Sequence, residues 1–192
     1  MPSKHKIEFR FLSPWHMGSG FGEGAHLDAL PVKSASGLPY IPGRSVKGLF
    51  REAVQLAEEC GHVAAGTTEL LFGSRDDKLS RYETVAGKLR FSSATLGDAM
   101  EAWARENAEA VQQLYSPLAS TKIEQDGLAS DKTLRKIEVV LPVTLIAEVE
   151  SAGDAAGVAE TLRTASSLIR QAGSHRHRGL GRVVVSVQEV KQ

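Results

Sequence analysis

The segment Leu38–Arg51, LPYIPGRSVKGLFR, limits the fold more than any other part of the chain. Pro39 and Pro42 keep the approach extended, and Gly43 admits a tight bend that a residue with a Cβ would resist. A helix then starts near Arg44 or Ser45, with Ser45 placed to accept a hydrogen bond from a free N–H of the first turn. Val46, Leu49, Phe50, Ala53, Val54 and Ala57 recur at helical spacing, so the helix has one apolar face to bury, and it ends near Cys60–Gly61. Arg44, Lys47 and Arg51 line another face, with Gly48 beside them and no acid between Pro42 and Arg51. Free N–H groups, glycines that permit close approach and a basic stripe together suit a chain of phosphates. The same residues also suit an ordinary amphipathic helix with solvated cations.

Such a helix needs a partner, and the flanking segments supply strands. Lys6–Leu12 (KIEFRFL) and Lys88–Ser92 (KLRFS) alternate with the period of half-buried strands, the second with Leu89 and Phe91 inward. Ile137–Val149 is β-branched, one strand or two, with Pro142 marking an edge or bulge. Val183–Val187 has the composition of a buried strand. A shorter segment contains Glu69–Phe72, and Phe72–Gly87 reads as a polar loop. Helical spacing recurs over Leu96–Leu114, with Met100, Trp103, Ala104, Ala108, Val111 and Leu114 apolar, and over Val158–Ala172, with Ala155–Val158 in or near its first turn. Ser116–Lys136 is mostly polar and reads as an extended excursion or hairpin. The order strand, helix, strand, then helix, strand, with additions, predicts an α+β fold of ferredoxin-like or RRM type.

The chain's 192 residues fit a single domain, 1–192, able to bury a proper core. Basic and acidic residues both total 23, which argues against indiscriminate affinity for polyanions while leaving room for a local basic groove. One cysteine, Cys60, can form neither an intrachain disulfide nor a thiolate metal site. No signal peptide and no membrane-spanning run is visible, so a cytoplasmic protein is expected.

Two loops carry the chemistry. Residues 13–37 hold Gly18, Gly20, Gly22 and Gly24 without a helix directly after them, which excludes a dinucleotide fingerprint. Here Trp15 can stack a base or pack in the core, and His16 and His26 can handle protons or serve structure. Asp28 lies among Leu27, Ala29 and Leu30, where a carboxylate can hold a divalent metal, orient a hydroxyl or cap a turn. The second loop, Gly173–Arg182 (GSHRHRGLGR), puts His175, Arg176, His177, Arg178 and Arg182 among three glycines with no acid. Backbone N–H groups and guanidiniums there can follow phosphates, although a solvated turn has the same composition. His175 and His177 lack further ligands nearby in sequence.

Several pieces resemble the RAMP superfamily of CRISPR-associated proteins, particularly backbone-type subunits of type III effector complexes. They are His16–Gly20 (HMGSG), Leu38–Ala53, Leu71–Ser74 (LFGS), Gly87–Leu96 (GKLRFSSATL) and His177–Val183 (HRGLGRV), in family order. The resemblance implies a modified RRM-like fold with a thumb-like hairpin, here about 116–140, and a place in a filament of subunits on a guide RNA. It implies RNA contacts from Arg44, Ser45, Lys47 and Arg51, from His175, Arg176, Arg178 and Arg182, and from Lys122 and Lys132 of the thumb. Glu124 and Gln125 stand where the family often has an arginine.

Asp28 matches the aspartate that supports metal-dependent target-RNA cleavage in the cleaving subunits, with spacing about one residue shorter. The resemblance thus implies a divalent ion, Mg2+, at Asp28, and as partners a guide RNA, a target RNA and other RAMP subunits, including copies of this chain, with no membrane. A non-catalytic architectural subunit is the alternative. A guide-processing nuclease using a histidine without metal is a third reading, against which the PGRSVKG signature argues.

Overall fold

The computed structural model describes residues 3–24, 26–74, 84–130, 132–152 and 157–190. Its elements run β1 (Lys4–Phe11), α1 (Gly43–Glu59), α2 (Thr67–Phe72), β2 (Leu89–Phe91), α3 (Asp98–Glu106), α4 (Ala108–Gln112), β3 (Tyr115–Ser120), β4 (Arg135–Val140), β5 (Thr144–Ser151), α5 (Val158–Leu168) and β6 (Val183–Glu189). β2, β5, β1 and β6 lie side by side in that order in one antiparallel sheet, and β3 pairs with β4 in a separate hairpin. Without the short α2, α3, α4 and the hairpin, the remaining βαββαβ order is that of a ferredoxin-like fold.

Alternation in the strands decides which face is covered. Ile7, Phe9 and Phe11 of β1, Leu145, Ala147 and Val149 of β5, and Val183, Val185 and Val187 of β6 are buried. They meet Val46, Phe50 and Val54 of α1 and Leu162 and Ala165 of α5, with Phe9 edge-on to Phe50 at 6.5 Å. Among the described residues helices cover only this face, so β6 is half-buried rather than fully buried, and its Val184 is 44% exposed. Trp15 belongs to the core, fully buried and stacked on Phe11 at 4.3 Å.

Four local expectations need correction. α1 begins at Gly43, and Ser45 caps nothing through its side chain. The Gly43 amide donates to Ser93 Oγ at 3.2 Å instead, because Gly43 is pressed against the Phe91 carbonyl, where a Cβ would come within 2.7 Å. The helix expected over Leu96–Leu114 is two helices: Asn107 leaves helical geometry, and its side chain donates to the Trp103 carbonyl at 2.8 Å. Only Ala104 and Val111 of that stretch are buried, with Leu38 alongside, whereas Trp103 is 44% exposed. Finally, α5 ends at Leu168, and Ile169 and Ala172 reach the core from extended chain bridged to Arg182 through Gln171. Ile137–Val149 resolves into β4 and β5, with Pro142 between them. Most of the polar loop expected over Phe72–Gly87, and Ala155 ahead of α5, lie outside the described residues.

Candidate nucleic-acid interface

The two cationic bends lie toward opposite edges of the sheet. The glycine loop leads into β6 where β1 finishes (Phe11 against Val183), whereas the approach to α1 runs beside the end of β2, through Ile41–Ala94 and Thr95–Ile146 bridges and the contact of Gly43 with Phe91. The loop after α5 is held rigidly. Ser174 N–H donates to the His16 carbonyl at 2.8 Å, Gly181 N–H to Pro14 at 2.8 Å, and Ala172 N–H to Gly181 at 2.9 Å. Gly173 and Gly181 have φ of +97° and +74°, and a Cβ on either would strike the His16 or Ala172 carbonyl at 2.5 or 2.1 Å. Both glycines are therefore required by contact as well as by conformation. A 3₁₀ turn, Arg176–Arg178, crosses the loop, and His175, Arg176, His177, Arg178 and Arg182 are all exposed.

Arg176 lines an open groove of about 240 Å³ with Leu49, Glu52 and Leu56 of α1 and with Leu168 and Arg170. Arg182 lines another with Leu12, Arg170 and Val184. At about 100° per residue, Arg44, Lys47 and Arg51 lie roughly a third of a turn or more around α1 from the face that meets Arg176. Arg176 therefore meets the middle of α1 rather than its start, and the basic stripe of α1 is turned aside from the glycine loop. Arg44 is exposed, whereas Ser45, Lys47 and Arg51 are half-buried.

His16 joins three segments. Its ring is buried, and its Nδ1 lies 2.7 Å from the Glu138 carbonyl, which can only accept, so Nδ1 carries the proton. Its ring meets that of His175 edge-on at 6.4 Å. Neighbouring β4 also fixes Asp28. Lys136 N–H donates to Asp28 Oδ2 at 2.7 Å, Asp28 N–H donates to the Lys136 carbonyl at 2.7 Å, and Glu138 N–H to that of Ala29 at 3.0 Å. Asp28 is exposed beside a groove of about 370 Å³ lined by His26, Leu27, Tyr115, Pro117, Lys136 and Glu138. Under that groove Lys33 pairs with Glu138 at 2.6 Å and sits 4.0 Å over the Tyr115 ring. Burial, and then the Glu138 carboxylate, push the Tyr115 hydroxyl's pKa well up, so it stays protonated and donates to the Gly37 carbonyl.

Among the described residues no three His, Cys, Asp or Glu side chains come together as a metal cluster. Asp28 by itself offers one carboxylate oxygen not taken by Lys136. That fits an ion such as Mg2+ only if RNA phosphates and water complete its shell.

The hairpin carries Lys122 and Lys132 beyond its paired strands, both exposed, flanking a Thr121–Thr133 contact of 2.9 Å. Lys122 pairs with Glu124 at 2.9 Å, so the acid at the position where the family often has arginine occupies a neighbouring cation. Hydrogen bonds from Ser130 and Lys122 hold the Glu124 carboxyl below its ordinary pKa. Leu118, Ile123, Leu128 and Leu134 stand exposed along the hairpin. The sheet's uncovered face differs: Lys4, Lys6 and Arg10 alternate there with Glu8, Glu148 and Glu150, and Lys4 pairs with Glu148 at 2.7 Å.

Sequence reasoning missed Glu138, Tyr115 and Lys33. The alternation in KIEVV sets Glu138 on the face opposite Ile137 and Val139, and nothing local pairs it with Lys33, over a hundred residues away.

A ferredoxin-like sheet with two helices on one face, an exposed basic glycine loop at one end and a projecting hairpin defines a modified RRM-like protein. The model of the RAMP superfamily matches residues 8–184, and the chain belongs to that superfamily. Among solved structures it is similar to a chain in the cryo-EM structure of the type III-B Cmr-β complex bound to cognate target RNA, with TM-score 0.69, 10% identity and 96% of each chain covered. It is also similar to a chain of Cmr-β in the apo state, with TM-score 0.68, 11% identity and coverage of 99% of this chain and 98% of that one. No curated protein matches the sequence. Among the described residues no helix is long and apolar enough to cross a membrane.

Proposed function

We propose that the chain is a guide-RNA-binding backbone subunit of a type III effector complex, and that it cleaves complementary target RNA through Asp28. Membership of the superfamily and the likeness in fold to chains of Cmr-β support the setting. The observation that carries the reading is Asp28 itself, an exposed carboxylate with one oxygen pinned by the returning strand of the hairpin beside an open groove. The guide backbone lies along the glycine loop and the start of α1, where guanidiniums and N–H groups meet its phosphates. The target passes the base of the hairpin. There Asp28 orients a 2′-hydroxyl toward its neighbouring phosphorus, and the hairpin bends the strand toward an in-line path. The 2′-hydroxyl gives up its proton to solvent as the 2′-oxygen–phosphorus bond forms, and the bond to the 5′-oxygen breaks as that oxygen takes a proton from water, leaving a 2′,3′-cyclic phosphate and a 5′-hydroxyl. A divalent ion at Asp28 would supply charge stabilisation at that phosphate.

In a complex reconstituted with its partner subunits and a guide, Asp28→Ala is expected to abolish target cleavage while guide retention and assembly stay unchanged. Cleavage at the unaltered rate would remove Asp28 from the mechanism. One observation favours the architectural reading instead: Asp28 already has a structural partner in the Lys136 amide. That reading predicts binding of target without cleavage at any concentration of divalent ion.

A further inference from the structure

β6 is an edge strand, and three hydrogen bonds fix which way its backbone faces. Leu12 N–H donates to Arg182 at 2.8 Å and Val190 N–H to Lys4 at 3.1 Å, so the even-numbered residues of β6 bond to β1. The odd-numbered residues point their N–H and C=O away from the sheet. At Val183 the outward N–H is taken by the Arg170 carbonyl at 3.0 Å, which closes the first part of the edge. Beyond it, among the described residues, no strand or side chain pairs with the outward groups of Val185, Val187 and Glu189. Natural edges are blunted by charge, proline or a bulge. Val183–Gln188 (VVVSVQ) has neither charge nor proline, and its register with β1 runs unbroken. On the uncovered face Val184 and Val190 are 44% and 41% exposed.

This strand is complementary to itself. With two copies antiparallel and Val187 opposite Val187, every outward group of Val185, Val187 and Glu189 falls in a hydrogen-bonded pair. On the uncovered face Val184 then lies opposite Val190 of the second copy, and Ser186 opposite Gln188. Each exposed valine covers another, a hydroxyl meets an amide, and no two like charges face each other. Because the pairing is isologous, it closes at two. We propose that the β6 edge is a self-association surface whose occupant is the β6 edge of a second copy, giving one continuous eight-stranded sheet. This goes beyond the RNA-binding reading and does not depend on it.

The test is sedimentation of the full chain at rising micromolar concentration, where the average mass is expected to climb from 20.6 kDa toward twice that value. Ser186→Lys with Gln188→Lys sets lysines opposite lysines across the dyad on a solvent face, and the mass should stay monomeric while circular dichroism is unchanged. In a Cys60→Ser background, Ser186→Cys with Gln188→Cys should cross-link copies on oxidation. Val184→Cys alone should not, because its copies would stand about 20 Å apart in this register. A wild-type chain that remains monomeric throughout, a dimer indifferent to the lysine pair, or cross-linking by Val184→Cys alone would each overturn the proposal. The first result also covers an edge occupied by another protein's strand.

Discussion

The glycine loop after α5 and the hairpin β3–β4 are both exposed and both carry cations, yet they are built in opposite ways. The loop is bolted to the core by backbone bonds to Pro14 and His16, and two of its glycines sit where a Cβ would strike a carbonyl. Among the described residues the hairpin is tied down at its base, through Asp28, Ala29, Trp15, His16, Lys33 and Gly37, and keeps leucines and an isoleucine in solvent toward its tip. A rigid array of donors holds one backbone geometry well, because little entropy is lost on binding. A projecting hairpin with uncovered apolar side chains suits contact with something that arrives later. On this account the loop receives the guide, and the hairpin meets the target or a neighbouring subunit.

Three measurements break or sharpen the contrast, and a fourth tests the core that carries both regions. The largest effect is expected in the framework beneath the loop. Trp15→Ala should destabilise the protein by about 4 kcal/mol in urea unfolding, whereas Leu128→Ala on the hairpin should stay within about 0.5 kcal/mol. Equal losses would mean that the hairpin is packed and the contrast false. Next come the glycines. Gly181→Ala adds a Cβ where φ is +74° and a carbonyl lies 2.1 Å away, and should cost about 3 kcal/mol. Gly127→Ala at the hairpin tip has φ of +82° but nothing within 4 Å, and should cost about 1 kcal/mol.

The third concerns charge: Arg178→Ala or Lys47→Ala should each lower the slope of log affinity against log salt for guide RNA by about 1. An unchanged slope in both would place the guide elsewhere. Smallest is a pH effect remote from both regions. His5 is buried without a partner for Nε2, and desolvation lowers its pKa below 6.5, partly offset by Glu189. Folded His5 therefore stays neutral while the unfolded chain takes up a proton. Stability should be full above pH 6.5 and fall as pH drops through the folded value, and His5→Leu should flatten that fall.

Much of the framework was legible because it rests on short-range periodicity. Alternation in Lys6–Leu12 and helical spacing from Val46 to Ala57 each marked a buried face that the structure shows. Periodicity misled over α3: Met100 and Trp103 follow helical spacing, but they stay 38% and 44% exposed among the described residues, and Asn107 breaks the helix. Val184 reads as core by composition and is exposed because helices cover one face of the sheet. The candidate site was legible only as separate pieces. Asp28 and Lys136 are 108 residues apart, and His16 and Glu138 are 122 apart, so no local pattern reports that they meet. Nor does sequence spacing reveal that the basic stripe of α1 turns aside from Arg176.

Photo-crosslinking of the assembled complex, with every contacted residue mapped by mass spectrometry, tests the central claim most directly. Guide crosslinks are expected within Gly173–Arg182 and around Arg44, with the uncovered sheet face from Lys6 to Arg10 untouched. Crosslinks confined to that sheet face, with the glycine loop silent, would contradict the account.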